Sequence, residues 1–148
     1  MRQTKTEPKK MPRPECEIIY EKTGDIINED ILISGIINWQ PPYDLYLINE
    51  TVFISIELPG VNMKDVVLYV GHDRLIISGT KKPLLVNEEI DRNNLVFHTL
   101  EISYGKFVRR IDFPMPIEPR NGVYNMENGV LTIKWPVLKE QIIPIEEV

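Results

Sequence analysis

Asn128-Gly129-Val130-Leu131-Thr132-Ile133 is the stretch on which the fold turns. Asn-Gly supplies the two φ > 0 positions of a type I′ hairpin turn, so Val123 to Met126 and Val130 to Trp135 are expected to pair as antiparallel strands. Pro136, which cannot donate to a ladder, is expected to end the domain. Beyond it, Ile143-Pro144-Ile145 reads as an extended tripeptide with two isoleucines on one side. Those side chains need a groove, on this chain or on a neighbour.

Upstream, the same strand chemistry recurs. Tyr43 to Ile48 and Thr51 to Leu58 are β-rich runs around the two-residue turn Asn49-Glu50. In the second run Val52, Ile54, Ile56 and Leu58 share one face while Ser55 and Glu57 take the other, the mark of a half-buried antiparallel strand. Leu58-Pro59-Gly60 stops it, and Asn62 is placed to cap a short helical turn through Asp65. Val66 to Val70, Arg74 to Gly79, an alternating Val96 to Tyr104 and Phe107 to Phe113 complete the set. Leu84-Leu85-Val86 could form one more strand inside the long polar connection of residues 80 to 96. Strands this close together, with little helix between them, predict an all-β antiparallel sandwich.

The 148 residues suit one such domain with extensions. Residues 41 to 136 form the expected domain, residues 1 to 40 an N-terminal arm and residues 137 to 148 a C-terminal extension. Five basic side chains against two acidic ones, with three prolines, make residues 1 to 15 a flexible basic arm. Ile18 to Trp39 is rich in isoleucine but mixes helical and alternating periods. It is expected to pack either on the domain or between subunits, with the second favoured.

A formal charge of −5 argues against general affinity for nucleic acid. The lone Cys16 forms no internal disulfide, the polar start shows no secretory core, and Ile31 to Ile37 is too short to span a bilayer. A cytoplasmic protein without membrane partners is the expectation. Catalytic constellations are thin: His72 and His98 lack neighbours at metal-ligand spacing, and Ser34 and Ser103 lack a nucleophile elbow. Gly105-Lys106-Phe107 lacks the flanking residues of a phosphate loop. Neither an enzyme nor a bound cofactor is expected.

Six motifs occur together in order: Pro41-x-x-Asp44; Glu57-Leu58-Pro59-Gly60-Val61; Leu75-x-Ile77-x-Gly79; Glu101-x-Ser103-Tyr104-Gly105-Lys106-Phe107-x-Arg109; Asn128-Gly129-Val130-Leu131; and Ile143-Pro144-Ile145. In these the chain resembles the small heat-shock proteins, whose shared element is the alpha-crystallin domain. The resemblance implies an immunoglobulin-like β-sandwich and an ATP-independent holdase that binds partly unfolded client proteins. It also implies self-association into dimers and higher homo-oligomers. Ile143, Pro144 and Ile145 would latch into a neighbour's groove. Arg109 would support a subunit interface, as would a strand from Leu84, Leu85 and Val86 to Ile90 exchanged between subunits. Ile31, Leu32, Ile33, Ile36, Ile37 and Trp39 would offer client-binding surface. Arg109 has the strand parity of Phe107, Ile111 and Phe113, so it needs a carboxylate partner or a bulge. Tyr124 and Trp135 stand where family members carry smaller residues, beside the last hairpin. A structural or co-chaperone adaptor with the same sandwich is the alternative.

Overall fold

A computed structural model describes residues 15–21, 36–83 and 94–139. Among these residues eight strands form two four-stranded sheets. One sheet holds β1 (Glu17–Tyr20), β4 (Val66–Val70), β5 (Arg74–Lys81) and β6 (Gly105–Asp112), in the order β1-β4-β5-β6. The other holds β2 (Tyr43–Ile48), β3 (Thr51–Glu57), β7 (Val123–Glu127) and β8 (Val130–Pro136), in the order β2-β3-β8-β7. All pairings are antiparallel except β1 with β4.

Period-2 patterning sets the register. Val52, Ile54 and Ile56 of β3 stand opposite Trp135, Ile133 and Leu131 of β8, and all six are fully buried. A one-residue slip would carry all six to solvent. Across the cleft Leu68, Leu75, Ile77, Phe107 and Ile111 close the core from the first sheet. At about 1.5 to 3 kcal/mol for each large side chain buried, this layer is the main favourable term in folding.

The turns follow their residues. Asn128 and Gly129 have φ of 53° and 75°, as a type I′ turn demands, and Asn49 has φ of 54° in the β2–β3 hairpin. The backbone N–H of Lys64 donates to Asn62 Oδ1 at 3.1 Å, capping a short 3₁₀ turn at Met63–Asp65.

Three expectations require correction. Val96 to Tyr104 alternates but forms no strand. Its partner would have to lie beyond the end of β5, which finishes at Lys81 opposite Gly105. Alternation without an adjacent edge leaves Leu95, Val96, Phe97, Leu100 and Ile102 in solvent. Residues 1 to 40 are not all arm: β1 adds to the β4 edge, and Cys16, Ile18, Tyr20 and Trp39 pack against the core. Packing within the chain therefore claims Ile18, Tyr20 and Trp39 from the Ile18 to Trp39 segment, for which subunit contacts are the favoured expectation, and leaves Ile36 exposed. Nor does packing stop at Pro136. Val137 bridges Ile117, and the Leu138 N–H donates to the Pro116 carbonyl at 2.8 Å. Ile31, Leu32, Ile33, Leu84, Leu85, Val86, Ile90, Ile143, Pro144 and Ile145 lie outside the described residues.

Candidate interaction surfaces

Arg109 stands opposite Ile77 in the β5–β6 ladder. Among the described residues neither a carboxylate nor a bulge accommodates it. The guanidinium lies 4.6 Å from the centre of the Tyr43 ring and donates from Nη1 to Gln40 Oε1 at 3.1 Å. A planar, weakly hydrated cation can stack on an aromatic face where an ammonium would hold its water. Arg109 thus ties β6 of one sheet to the start of β2 in the other.

The chain just before β2 is fastened to the same end of β6. Asn38 brackets Lys106: its N–H donates to the Lys106 carbonyl at 2.9 Å, and its Oδ1 accepts from the Lys106 N–H at 3.0 Å. Trp39 Nε1 donates to the Gly105 carbonyl at 3.0 Å while its ring meets Phe107 at 5.0 Å. Lys81 Nζ sits 5.3 Å from the Trp39 ring and 5.8 Å from that of Tyr104. Trp39 is therefore occupied within the chain, whereas Ile36, of the same expected client surface, is 81% exposed. Ile37 is partly buried.

Two apolar features have no partner among the described residues. The first is the run from Leu95 to Ile102, where Val96 is 73% exposed, Leu100 60%, Ile102 58% and Phe97 51%. The second is β2, bonded only to β3 and carrying exposed Tyr46, Leu47 and Ile48. One is an extended apolar segment lacking an edge, and the other is an edge lacking a strand. Reading alternation in Val96 to Tyr104 as an internal strand hid the first, although the run of apolar residues was visible in the sequence.

A third feature lies where the open end of β4 meets β7. β1 fills it, with Cys16, Ile18 and Tyr20 turned inward and Ile19 outward. Tyr124 and Trp135 floor the cleft with rings 6.2 Å apart, edge to face. Their polar atoms converge over Gly122, where an added Cβ would stand 2.5 Å from Trp135 Nε1 and 2.9 Å from the Tyr124 hydroxyl. Neither atom makes a well-formed hydrogen bond among the described residues. Burial, with Tyr20 close by, pushes the Tyr124 hydroxyl well above the ordinary phenol range, and burial likewise raises the Cys16 thiol. The bulk of Tyr124 and Trp135 is absorbed in the core and does not close the cleft. The guanidinium of Arg120 covers the Tyr20 ring at 4.7 Å.

The remaining polar candidates stay apart. His72 Nδ1 is 3.2 Å from the Ile117 carbonyl, and His98 lies in the exposed run. Among the described residues no cluster of three His, Cys, Asp or Glu could hold a metal, and no helix is long and apolar enough to cross a membrane.

This sandwich and its order of motifs match a known family over most of the domain. The model for the Hsp20/alpha crystallin family matches residues 48–146. The chain belongs to that family. Heat shock protein 16 of Schizosaccharomyces pombe is 31% identical over 100 residues, 68% of each chain. Small heat shock protein C2 of Rickettsia felis is 33% identical over 104 residues, 70% of this chain and 64% of that one. Across the first relatives the match spans between about half and two thirds of their length. Among solved structures, heat shock protein 16.0 of S. pombe aligns over 78% of both chains with a TM-score of 0.57 and 28% identity. A small heat-shock protein from Xylella fastidiosa, at 22% identity, shares the fold alone with a TM-score of 0.60. Members of this family are chaperone-like proteins rather than enzymes.

Proposed function

We propose that this family member is an ATP-independent holdase that covers apolar segments of partly unfolded proteins, and that it works as a self-assembling oligomer of the cytoplasm. The observation that carries this is the pairing of an exposed apolar run, Leu95 to Ile102, with an open sheet edge at β2. A monomer that left both bare would present apolar surface and an unpaired edge of the kind that mark association. Strand addition of the run from one subunit to β2 of the next covers both and gives a two-fold dimer. That places the exchanged segment C-terminal to the expected Leu84 to Ile90, though a second strand from those residues is compatible with it. Ile143 and Ile145 then join dimers reversibly, each burial contributing about 1.5 to 3 kcal/mol before ordering costs.

Clients would be held on the surfaces that subunit release uncovers, Ile31 to Ile37 and the Leu95 to Ile102 run. Binding needs no chemistry, since covering an exposed apolar segment before it meets another suffices. The protein is mixed at equal mass with a heat-labile client, and light scattering is followed on warming. Suppression of scattering without added nucleotide is expected; scattering unchanged from the client alone would sink the holdase.

A further inference from the structure

Two buried residues stand outside the core. Ile76 is 0% exposed and Val108 4%, yet neither belongs to the apolar cluster between the sheets. Strand parity explains why: Leu75 and Ile77 point inward from β5 and Phe107 from β6, so Ile76 and Val108 point out through the opposite face. Side chains standing on a sheet shield one another's flanks, but burial to the tip needs a layer above. The other sheet lies on the inner face, and the run Leu95 to Ile102 is itself exposed.

The chain's own course supplies the layer. Glu21 is fastened to the Val70 carbonyl, at one corner of the β1-β4-β5-β6 sheet. Asn38 is fastened to Lys106 on the free edge of β6, at the corner diagonally opposite. Residues 22–35, which lie outside the described residues, join those corners. By strand spacing and rise the diagonal is about 27 Å, within the limit of about 60 Å for the chain from Glu21 to Asn38. The shortest route crosses the outer face over Tyr69, Ile76 and Val108 in turn. Tyr69 stands opposite Ile76, and Val108 opposite Ser78, the next residue of that face toward Lys106. Exposure follows the same line: Ile76 and Val108 on it are buried, whereas Arg110 and Asp112 off it are exposed.

The segment has matching chemistry. It brings Ile26, Ile27, Ile31, Leu32 and Ile33 to the apolar pair. It also brings Asp25, Glu29 and Asp30, against Lys22 alone, to a face bordered by Lys106 and Arg110. Residues 84–93, in contrast, leave β5 and return to β6 at one end of the sheet and need not cross it.

We infer that residues 22–35 dock on the outer face of their own subunit's sheet, over Ile76 and Val108. This rests on the segment holding clients, and it adds where the segment is kept: capture is set by its detachment within one subunit, with assembly unchanged.

Ser78, between the two on the same face, takes the reporter. In the full chain carrying C16S/S78C, alkylation of the thiol is timed. Slow alkylation that persists on dilution to separated subunits is expected. The rate should rise at least ten-fold when residues 22–35 are replaced by a Gly-Ser linker of equal length. Alkylation as fast in the intact chain as with the linker overturns the docking. Alkylation that quickens on dilution overturns docking within one subunit in favour of a neighbour's segment. The I76S/V108S chain, with circular dichroism confirming the fold and sedimentation the unchanged assembly, should suppress client scattering at a lower temperature than the parent. If the parent suppresses scattering and the variant does no better, the coupling to capture falls and the holdase stands. If the parent suppresses none, the holdase falls and the alkylation still decides the docking. Should I76S/V108S fail to fold, the linker comparison decides.

Discussion

Replacing Leu100 and Ile102 by serine separates assembly from folding. Both side chains are more than half exposed in the single chain, Leu100 at 60% and Ile102 at 58%, so their removal costs the monomer little. In a dimer built by strand addition to β2 the two share one face of the added strand, and that exposed fraction is what becomes buried. Taking about 1.5 to 3 kcal/mol for a whole side chain and scaling by exposure, the pair contributes about 1.8 to 3.5 kcal/mol to association. At 1.4 kcal/mol per factor of ten this is about a 20- to 300-fold weaker dimer. Sedimentation equilibrium across a dilution series measures it directly, and thermal melts of the dilute monomer supply the control. A dimer constant unchanged by L100S/I102S, in a chain that melts as before, would refute strand exchange through this run. A large drop in the monomer's own melting temperature would show that the run packs on its own domain instead.

Other perturbations test the fold and its joints. Gly129→Ala places a β-carbon at φ of 75° and 3.1 Å from Pro59 Cα, and should cost about 1 to 2 kcal/mol in urea unfolding. Tyr124→Phe removes a buried hydroxyl that lacks a well-formed bond and should leave stability unchanged or raise it by about 1 kcal/mol. Its signature lies in alkali. The folded-state pKa of Tyr124 is raised, so its contribution is complete below the ordinary phenol value of 10.0 and is lost as pH climbs above it. The fall in stability above pH 10 should therefore be shallower in Y124F, and identical slopes would contradict the burial argument. Arg109→Ala removes a half-exposed cation–π contact and one amide bond, worth about 0.5 to 1 kcal/mol in the monomer melt, while loosening the start of β2. A greater loss in dimer affinity than in monomer stability is expected.

The sandwich was legible because its strands declare themselves locally. Asn128-Gly129 fixes a hairpin by backbone conformation, and Val52, Ile54 and Ile56 fix a face by parity. What stayed hidden depends on neighbours that no local pattern names. Val96 to Tyr104 has strand alternation but no edge to lie against, so alternation alone misassigned it. Ile18-Ile19-Tyr20 is too short for its period to be read, and β1 is defined by the vacant side of β4. Parity placed Arg109 on an apolar face and asked for a carboxylate. A guanidinium can instead spend its charge on the Tyr43 ring, a partner 66 residues away in sequence. The candidate surfaces follow the same division: the apolar run was visible, and its lack of cover was not.

Asn38 carries one more consequence. By clasping Lys106 on both its backbone groups, with its own N–H and its side-chain Oδ1, it gives the start of β6 a partner that is half backbone and half side-chain amide. A neighbouring strand would hand its own far edge to the next molecule, and an amide has no far edge to hand on. β6 is eight residues long and lies at the edge of its sheet, where a row of backbone groups can template another strand. The clasp works as a chain terminator at that edge.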